Sequence, residues 1–430
     1  MLSTVTFIFA KGEIDLNGEV PKDQSLDNSL ALMQEGYEFI RNRCRKYGAD
    51  LFEARLLGQK VVCMTGEEAA RIFYDNEKFQ RKGAAPKRVQ KTLFGVNAIQ
   101  TKDGAVHHCR KMLFMSLLSP EGVNQLKSLA EVHFQEAVSR WKKMERVVLF
   151  DEAEVILCKI ACEWAGVPLT EEEAKERAED FSAMVDAFGA VGPRHWKGRR
   201  ARTSAEEWIT GVIEKVRTSE LDTRQGSALH SWAVHRDPDG EPLDANMAAI
   251  ELINVLRPIV AIATFITFSA LALHEHPECR EKLRTEGDEY KEWFAEEVRR
   301  YYPFGPFVGA RVKQPFTWQN YNFAEGQLVL LDMYGTNHDY RLWEFPEQFH
   351  PERFRDWDGN LFKFIPQGGG DPAKGHRCPG EGVTVEVMKV CIDLLANKIT
   401  YEVPEDQDLT YSLTRMPTRP QSGFILTNVE

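Results

Sequence analysis

Apolar positions recur at helical spacing through roughly the first three hundred residues of this chain. In residues 30–43, Leu32, Tyr37 and Ile40 stand among polar neighbours, the pattern of a helix with one inward face. Residues 106–118, 126–143, 171–188 and 204–216 read as further helices of the same kind. The longest and most apolar stretch is 245–273, and the helical pattern of 288–302 stops at Pro303. After that the texture changes. Residues 315–331 alternate around the turn-forming Gln319 and Asn320 and predict short strands. Residues 332–375 are rich in Pro, Gly, Asp and aromatics and read as irregular. Helix returns at 384–397, and 399–426 ends in short strands. The pattern predicts a mainly α protein with a minor β component near the C-terminus.

Length and charge change this picture in two places. At about 150 residues per domain, 430 residues suggest about three domains, yet no repeat, low-complexity tract or linker divides the chain. Lys and Arg total 54 against 65 Asp and Glu, a net charge of −11, which argues against nucleic-acid binding and leaves room for a local anion pocket. Eight Cys with no CxxC pair are too sparse for a disulfide scaffold, so a reducing, cytoplasmic setting is expected. Residues 1–10 are apolar but lack a basic stretch before them, so 1–20 is read as a poorly structured extension rather than a signal peptide. The apolar run 259–273 is shorter than the ~20 residues that span a bilayer, so no integral membrane segment is expected.

Three clusters carry candidate chemistry. The Gly-rich loop 367–382 presents Cys378 just before a helix that starts near Glu381. A helix N-terminus stabilises a thiolate, which suits a metal ligand or a nucleophile; a small buried Cys beside a tight turn is the plain alternative. A phosphate loop is excluded, because Lys374 precedes Gly375 and no hydroxyl follows. Glu297 and Arg300, three apart, share a helix face and can pair; alone this reads as a surface ion pair. The Pro-broken segment 345–354 forms a rigid meander from which Arg353 could join them.

In this order, the three clusters resemble the cytochrome P-450 superfamily of haem-thiolate enzymes. Glu297 and Arg300 match its ExxR motif, the segment Pro351-Glu352-Arg353-Phe354 its meander, and Cys378 its axial cysteine. The resemblance implies one triangular, helix-rich domain over 21–430 that encloses haem b (iron protoporphyrin IX). It places His107, Lys111 and His376 as partners of the cofactor.

The departures from that pattern are more telling. The aromatic expected seven residues before the Cys is Asp371, and the loop carries an extra Gly-Gly-Gly. The acid–Thr pair that relays protons to dioxygen is missing, since Thr264 follows Ala263. In its place the apolar central helix carries Arg257 and Pro258. A Pro inside a helix costs roughly 3 kcal/mol, and a desolvated Arg costs several kcal/mol by rough estimate unless paired. Arg257 either pairs with an internal acid such as Glu251, reaches the surface, or waits for a carboxylate ligand that its planar fork fits.

The Arg-Pro pair and the Gln367-Gly-Gly-Gly loop resemble the bacterial fatty-acid peroxygenase branch. That branch uses hydrogen peroxide and needs no redox partner. The resemblance implies that Arg257 and Pro258 hold a long-chain fatty acid by its carboxylate, and that this carboxylate serves as acid–base catalyst. Oxygen then reaches the α or β carbon. Phe94, Phe304 and Phe307 are candidate walls for the tail, or ordinary core. Gln100 stands where alkene-forming members carry a His, so hydroxylation should dominate and decarboxylation should be minor. A reductase-dependent monooxygenase and a non-catalytic haem or fatty-acid binder are the rival readings. Three weaker signals remain. The basic run from Trp196 to Arg202 is a solvated loop or a patch for anionic lipids. Cys158 and Cys162 read as buried hydrophobes. His274 and His276 mark a helix end.

Overall fold

The computed structural model describes residues 20–430. All but the last position of the proposed 1–20 extension lies outside the described residues.

Nine helices frame the site: α1 (Gly104–Leu117), α2 (Pro120–Trp141), α3 (Leu149–Ala165), α4 (Glu171–Asp186), α5 (Pro193–Arg217), α6 (Ala245–Val260), α7 (Ala263–Glu275), α8 (Gly287–Tyr301) and α9 (Glu381–Asp393). Their starts follow local chemistry. The Ser119 hydroxyl caps α2, with Pro120 at the first helical position. Thr170 and Glu173 close a capping box on α4. Asp244 caps α6 by accepting from Met247 N–H.

Helix α6 is the centre of the molecule. Every residue from Ala248 to Arg257 is buried, and α3 and α5 pack against it. A helix apolar all round belongs in a core. The span Ala245–Glu275 is long and apolar enough to cross a membrane, but 89% of its most apolar window is buried inside the fold. On the other side of the site, α9 packs against α2, α7 and α8.

The β component is larger toward the N-terminus than the sequence pattern suggests. Strands β1 (Leu51–Leu56), β2 (Gln59–Met64), β3 (Phe79–Gln80), β4 (Phe307–Val312) and β5 (Leu328–Asp332) form one sheet in the order β1-β2-β5-β4-β3. Only the β2–β5 pair is parallel; the other three pairs are antiparallel. Two two-stranded ribbons complete the β structure among the described residues.

Three expected helices differ in the structure. The stretch 30–43 breaks at Gly36, whose φ of 56° interrupts the helix. The helix expected at 204–216 already starts at Pro193, so the basic run Trp196 to Arg202 is helical rather than a loop. The stretch 245–273 divides after Val260. Pro258 has no N–H, so the Asn254 carbonyl loses its helical donor, and the chain tightens to an Ile262 N–H bond to Ile259 O at 3.1 Å before α7 begins.

The ExxR cluster is a structural tie rather than a surface pair. Glu297 and Arg300 have side chains that are 0% exposed and meet at 2.7 and 2.8 Å. Arg353 joins Glu297 at 3.0 Å, and His350 N–H donates to the same carboxylate. Arg300 also donates to the carbonyls of Asn337, Pro346 and Gln348, which fixes the irregular segment before the Cys loop.

Candidate active site

A cavity of about 270 Å³ lies between α6, the start of α1 and the Cys378 loop. Arg257, Pro258, Gln100, His107, Lys111, His376 and Cys378 all line it. Ile99, Phe114, Leu118, Val255, Ile259 and Val383 supply its apolar walls. Phe94, Phe304 and Phe307 do not line this cavity. Phe304 packs on Phe265, Phe307 lies in β4, and Phe94 contributes its backbone carbonyl instead. Sequence position brought these rings near the cavity without fixing which way they face.

Cys378 sits just before the N-terminus of α9. Its own N–H donates to Gln367 O at 3.1 Å. Burial pushes the thiol up, as does the neighbouring Glu381; a bond from Gly380 N–H and the cations Lys111 and Arg299 act the other way. Gln367, not Asp371, is the side chain beside the sulfur: its Nε2 lies 3.9 Å from Sγ and 3.3 Å from Thr384 Oγ1. Arg299 donates to Gln367 Oε1 at 2.9 Å and holds the amide in that orientation. The three glycines lengthen the loop, so counting back seven residues lands on the wrong position. Asp371 faces Lys374 at 3.7 Å.

A cationic cluster borders the same cavity. The rings of His107 and His376 stack with centroids 4.0 Å apart. Burial pulls His107 down to about 3, helped by His376 and Lys111, and pulls His376 down to about 4. Burial also pulls the Lys111 ammonium down to about 8. Asp103 meets His376 at 3.5 Å and accepts from the backbone N–H groups of Arg81 and Lys82. Sequence reading missed Arg81. It is 5% exposed, and its Nε and Nη1 have no partner. Lone buried guanidinium nitrogens beside two neutral imidazoles and an ammonium fit the two carboxylates of a haem. A single sulfur at a helix N-terminus fits its iron. The residues present therefore match the cofactor that the motifs imply.

Arg257 lies opposite, on α6. Glu251 is not its partner. Arg110 takes that carboxylate at 2.9 Å, Ile99 N–H donates to it at 2.9 Å, and Asn254 Nδ2 lies 3.4 Å from it. Arg257 makes one side-chain hydrogen bond, from Nη2 to Asn254 Oδ1 at 3.3 Å, while Nε has no partner. Asn254 is held in turn by donating to Phe94 O at 2.9 Å, with Gln100 Oε1 at 3.5 Å. Burial lowers the Arg257 guanidinium to about 9, and the nearby Arg202 adds to the shift. Gly95, at φ 89°, lets the Phe94 turn approach α5 and α6. A Cβ there would lie 2.4 Å from Arg202 Nη2 and 2.5 Å from Ile250 Cγ2.

The cysteine and histidine pairs are structural. Cys158 and Cys162 are buried on α3, and no cluster of three potential metal ligands occurs among the described residues. His276 caps the end of α7 and stacks on Phe349.

Comparison with known proteins gives consistent results. A family model described as cytochrome P450 matches residues 177–427. Protopanaxadiol 6-hydroxylase of Panax ginseng is 23% identical over 412 residues, 87% of this chain and 84% of that protein. Among solved structures, cytochrome P450EX alpha (CYP152N1) with myristic acid is 44% identical, with a TM-score of 0.93 over 96% of this chain and 99% of that one. An OleT variant in complex with arachidonic acid is 39% identical, with a TM-score of 0.93 over 96% of this chain and 98% of that one.

Proposed function

The chain belongs to the cytochrome P450 family, and on that premise we propose that it is a peroxygenase that hydroxylates long-chain fatty acids at the α or β carbon. The reaction balances without a reductase: one C–H bond and hydrogen peroxide give one C–OH bond and water. The cofactor is haem b. When bound, it supplies the iron chemistry that activates the peroxide and delivers one oxygen to carbon. Cys378 would ligate its iron, and His107, Lys111, His376 and Arg81 would meet its carboxylates.

The observation that carries the reading is an open guanidinium with no carboxylate partner in the cavity wall. Arg257 is buried in the cavity wall, its Nε is unpartnered, and Glu251, on the same helix, is already taken by Arg110. A fatty-acid carboxylate completes its hydrogen bonds and restores its charge balance. Pro258, next to it, leaves the Asn254 carbonyl without its helical donor and itself lines the cavity. Held there, the carboxylate stands in for the missing acid–Thr pair and moves a proton between the two peroxide oxygens. Arg257 and Cys378 line one cavity, so the carbons next to the carboxylate are the ones brought to the reacting centre, and remote carbons are not. Gln100 borders the same space and carries no titratable proton near neutral pH, which favours hydroxylation over decarboxylation.

The test uses purified holoprotein, myristate and hydrogen peroxide, with products identified by mass spectrometry. Formation of 2- and 3-hydroxymyristate without a reductase supports the reading. Turnover that requires a reductase and NAD(P)H would make this a conventional monooxygenase, and binding without turnover a carrier. Cys378→Ser should abolish the thiolate signature of the ferrous–CO spectrum.

A further inference from the structure

The outer end of α5 carries a patch that the reaction does not use. Residues 82–92 and 187–203 contain no Asp or Glu, although the chain as a whole carries −11. The two segments meet where Arg88 donates to Ala190 O and where Arg202 Nη1 donates to Leu93 O at 3.2 Å. Lys87, Arg88, Lys91, Lys197, Arg199 and Arg200 are exposed there. The carboxylate-paired arginines of these segments are Arg194, with Asp186, and Arg202, with Glu206. Trp196 projects from the same helical turns at 64% exposure, with Val191 nearby at 50%.

The charge continues inward. His195, Arg199 and Arg202 are spaced four and three apart, so they share one face of α5. Burial depresses the His195 imidazole, and Arg88 and Arg199 add to the shift. Arg202 is 2% exposed, and its Nη2 has no partner. It is also near enough to Arg257 to lower that guanidinium. Gln100 and Asn254, reached from Leu93 and Phe94 along the same turn, line the cavity.

We propose that this patch docks on an anionic lipid surface, and that the cations on α5 draw a carboxylate from it toward Arg257. Exposed cations around an exposed Trp are the chemistry of a lipid–water interface, with the ring at headgroup depth and the cations on anionic headgroups. A Trp among cations also occurs at protein interfaces, so an acidic protein is the competitor that the experiment includes. The second half of the proposal rests on the fatty-acid reading given above; docking itself does not, and it is measured without peroxide.

The experiment is co-sedimentation of the holoprotein with phosphatidylcholine vesicles, with and without phosphatidylglycerol, over a salt series. Tryptophan fluorescence of wild type and Trp196→Phe is compared alongside. Binding should require the anionic lipid and weaken as salt rises. It should fall about tenfold or more in Lys87→Gln/Arg88→Gln/Lys197→Gln/Arg199→Gln, whose ferrous–CO spectrum reports an intact fold. A blue shift on binding should be present in wild type and absent in Trp196→Phe. Equal binding to neutral and anionic vesicles, or full binding by the quadruple variant, would overturn the proposal. So would a lipid-free acidic protein that binds the patch as tightly as the vesicles and displaces them.

Discussion

Two buried arginines, Arg300 on α8 and Arg257 on α6, show how the same side chain serves opposite ends. Arg300 is 1% exposed and closes every bond it can reach, to Glu297 and to three backbone carbonyls. Arg257 is 7% exposed and reaches one neutral amide, with Nε left open. A satisfied buried pair holds a fold in register, whereas an unsatisfied buried cation is a cost that persists until a ligand arrives. The contrast separates scaffold from site without reference to either residue's motif.

The contrast can be broken first on the closed side. Glu297→Ala leaves Arg300 and Arg353 buried without their carboxylate and should destabilise the protein by about 3–5 kcal/mol, read by thermal or urea unfolding. Arg257→Ala should do the reverse. Unfolding should be unchanged or shifted upward, while kcat/KM for myristate drops by about 2–5 kcal/mol of transition-state stabilisation. A large stability loss in Arg257→Ala would place it with Arg300 and end the distinction.

The pH dependence sharpens it further. Burial and Arg202 depress the Arg257 guanidinium, so its charged form is disfavoured in the fold and is lost as pH rises through about 9. A carboxylate binds only the charged form. Myristate affinity, followed by the haem Soret shift, should therefore be flat between about pH 6 and 9, where the fatty acid is ionised, and fall toward about tenfold per unit above that. A flat profile to pH 10.5 would mean that another group holds the carboxylate. The smallest effect is expected at Asn254, which touches both the scaffold and the site. Asn254→Ala should weaken myristate binding by about 1 kcal/mol and cost a similar amount of stability, because the Phe94 carbonyl loses its donor as well.

Much of this was legible in the sequence, for identifiable reasons. Helical periodicity located α1, α2, α4, α8 and α9 in outline, because each must bury one face; it began α5 late, joined α6 to α7 and marked no bounds for α3. The family resemblance carried by Glu297, Arg300, Arg353 and Cys378 implied one cofactor, and the length that suggested three domains gave way to one helical body around it. Arg257 stood out because a cation and a proline are both expensive in an apolar helix. What stayed hidden depended on direction and on loop length. Phe94, Phe304 and Phe307 were expected as cavity walls, but other side chains line it. Gln367 replaces the expected neighbour of the sulfur because the glycines displace the count. Arg81 sits in an ordinary basic stretch, and only its buried, partnerless nitrogens single it out.

Gly95 has a consequence for how this protein can vary. It lies on a turn between two helices, where chains usually drift freely, yet its backbone angle and its nearness to Ile250 leave no room for a side chain. A saturation library at position 95 should return glycine codons almost alone, whether colonies are chosen for soluble expression or for fatty-acid turnover. The turn that carries Phe94 toward Asn254 is therefore intolerant of a side chain at this one position.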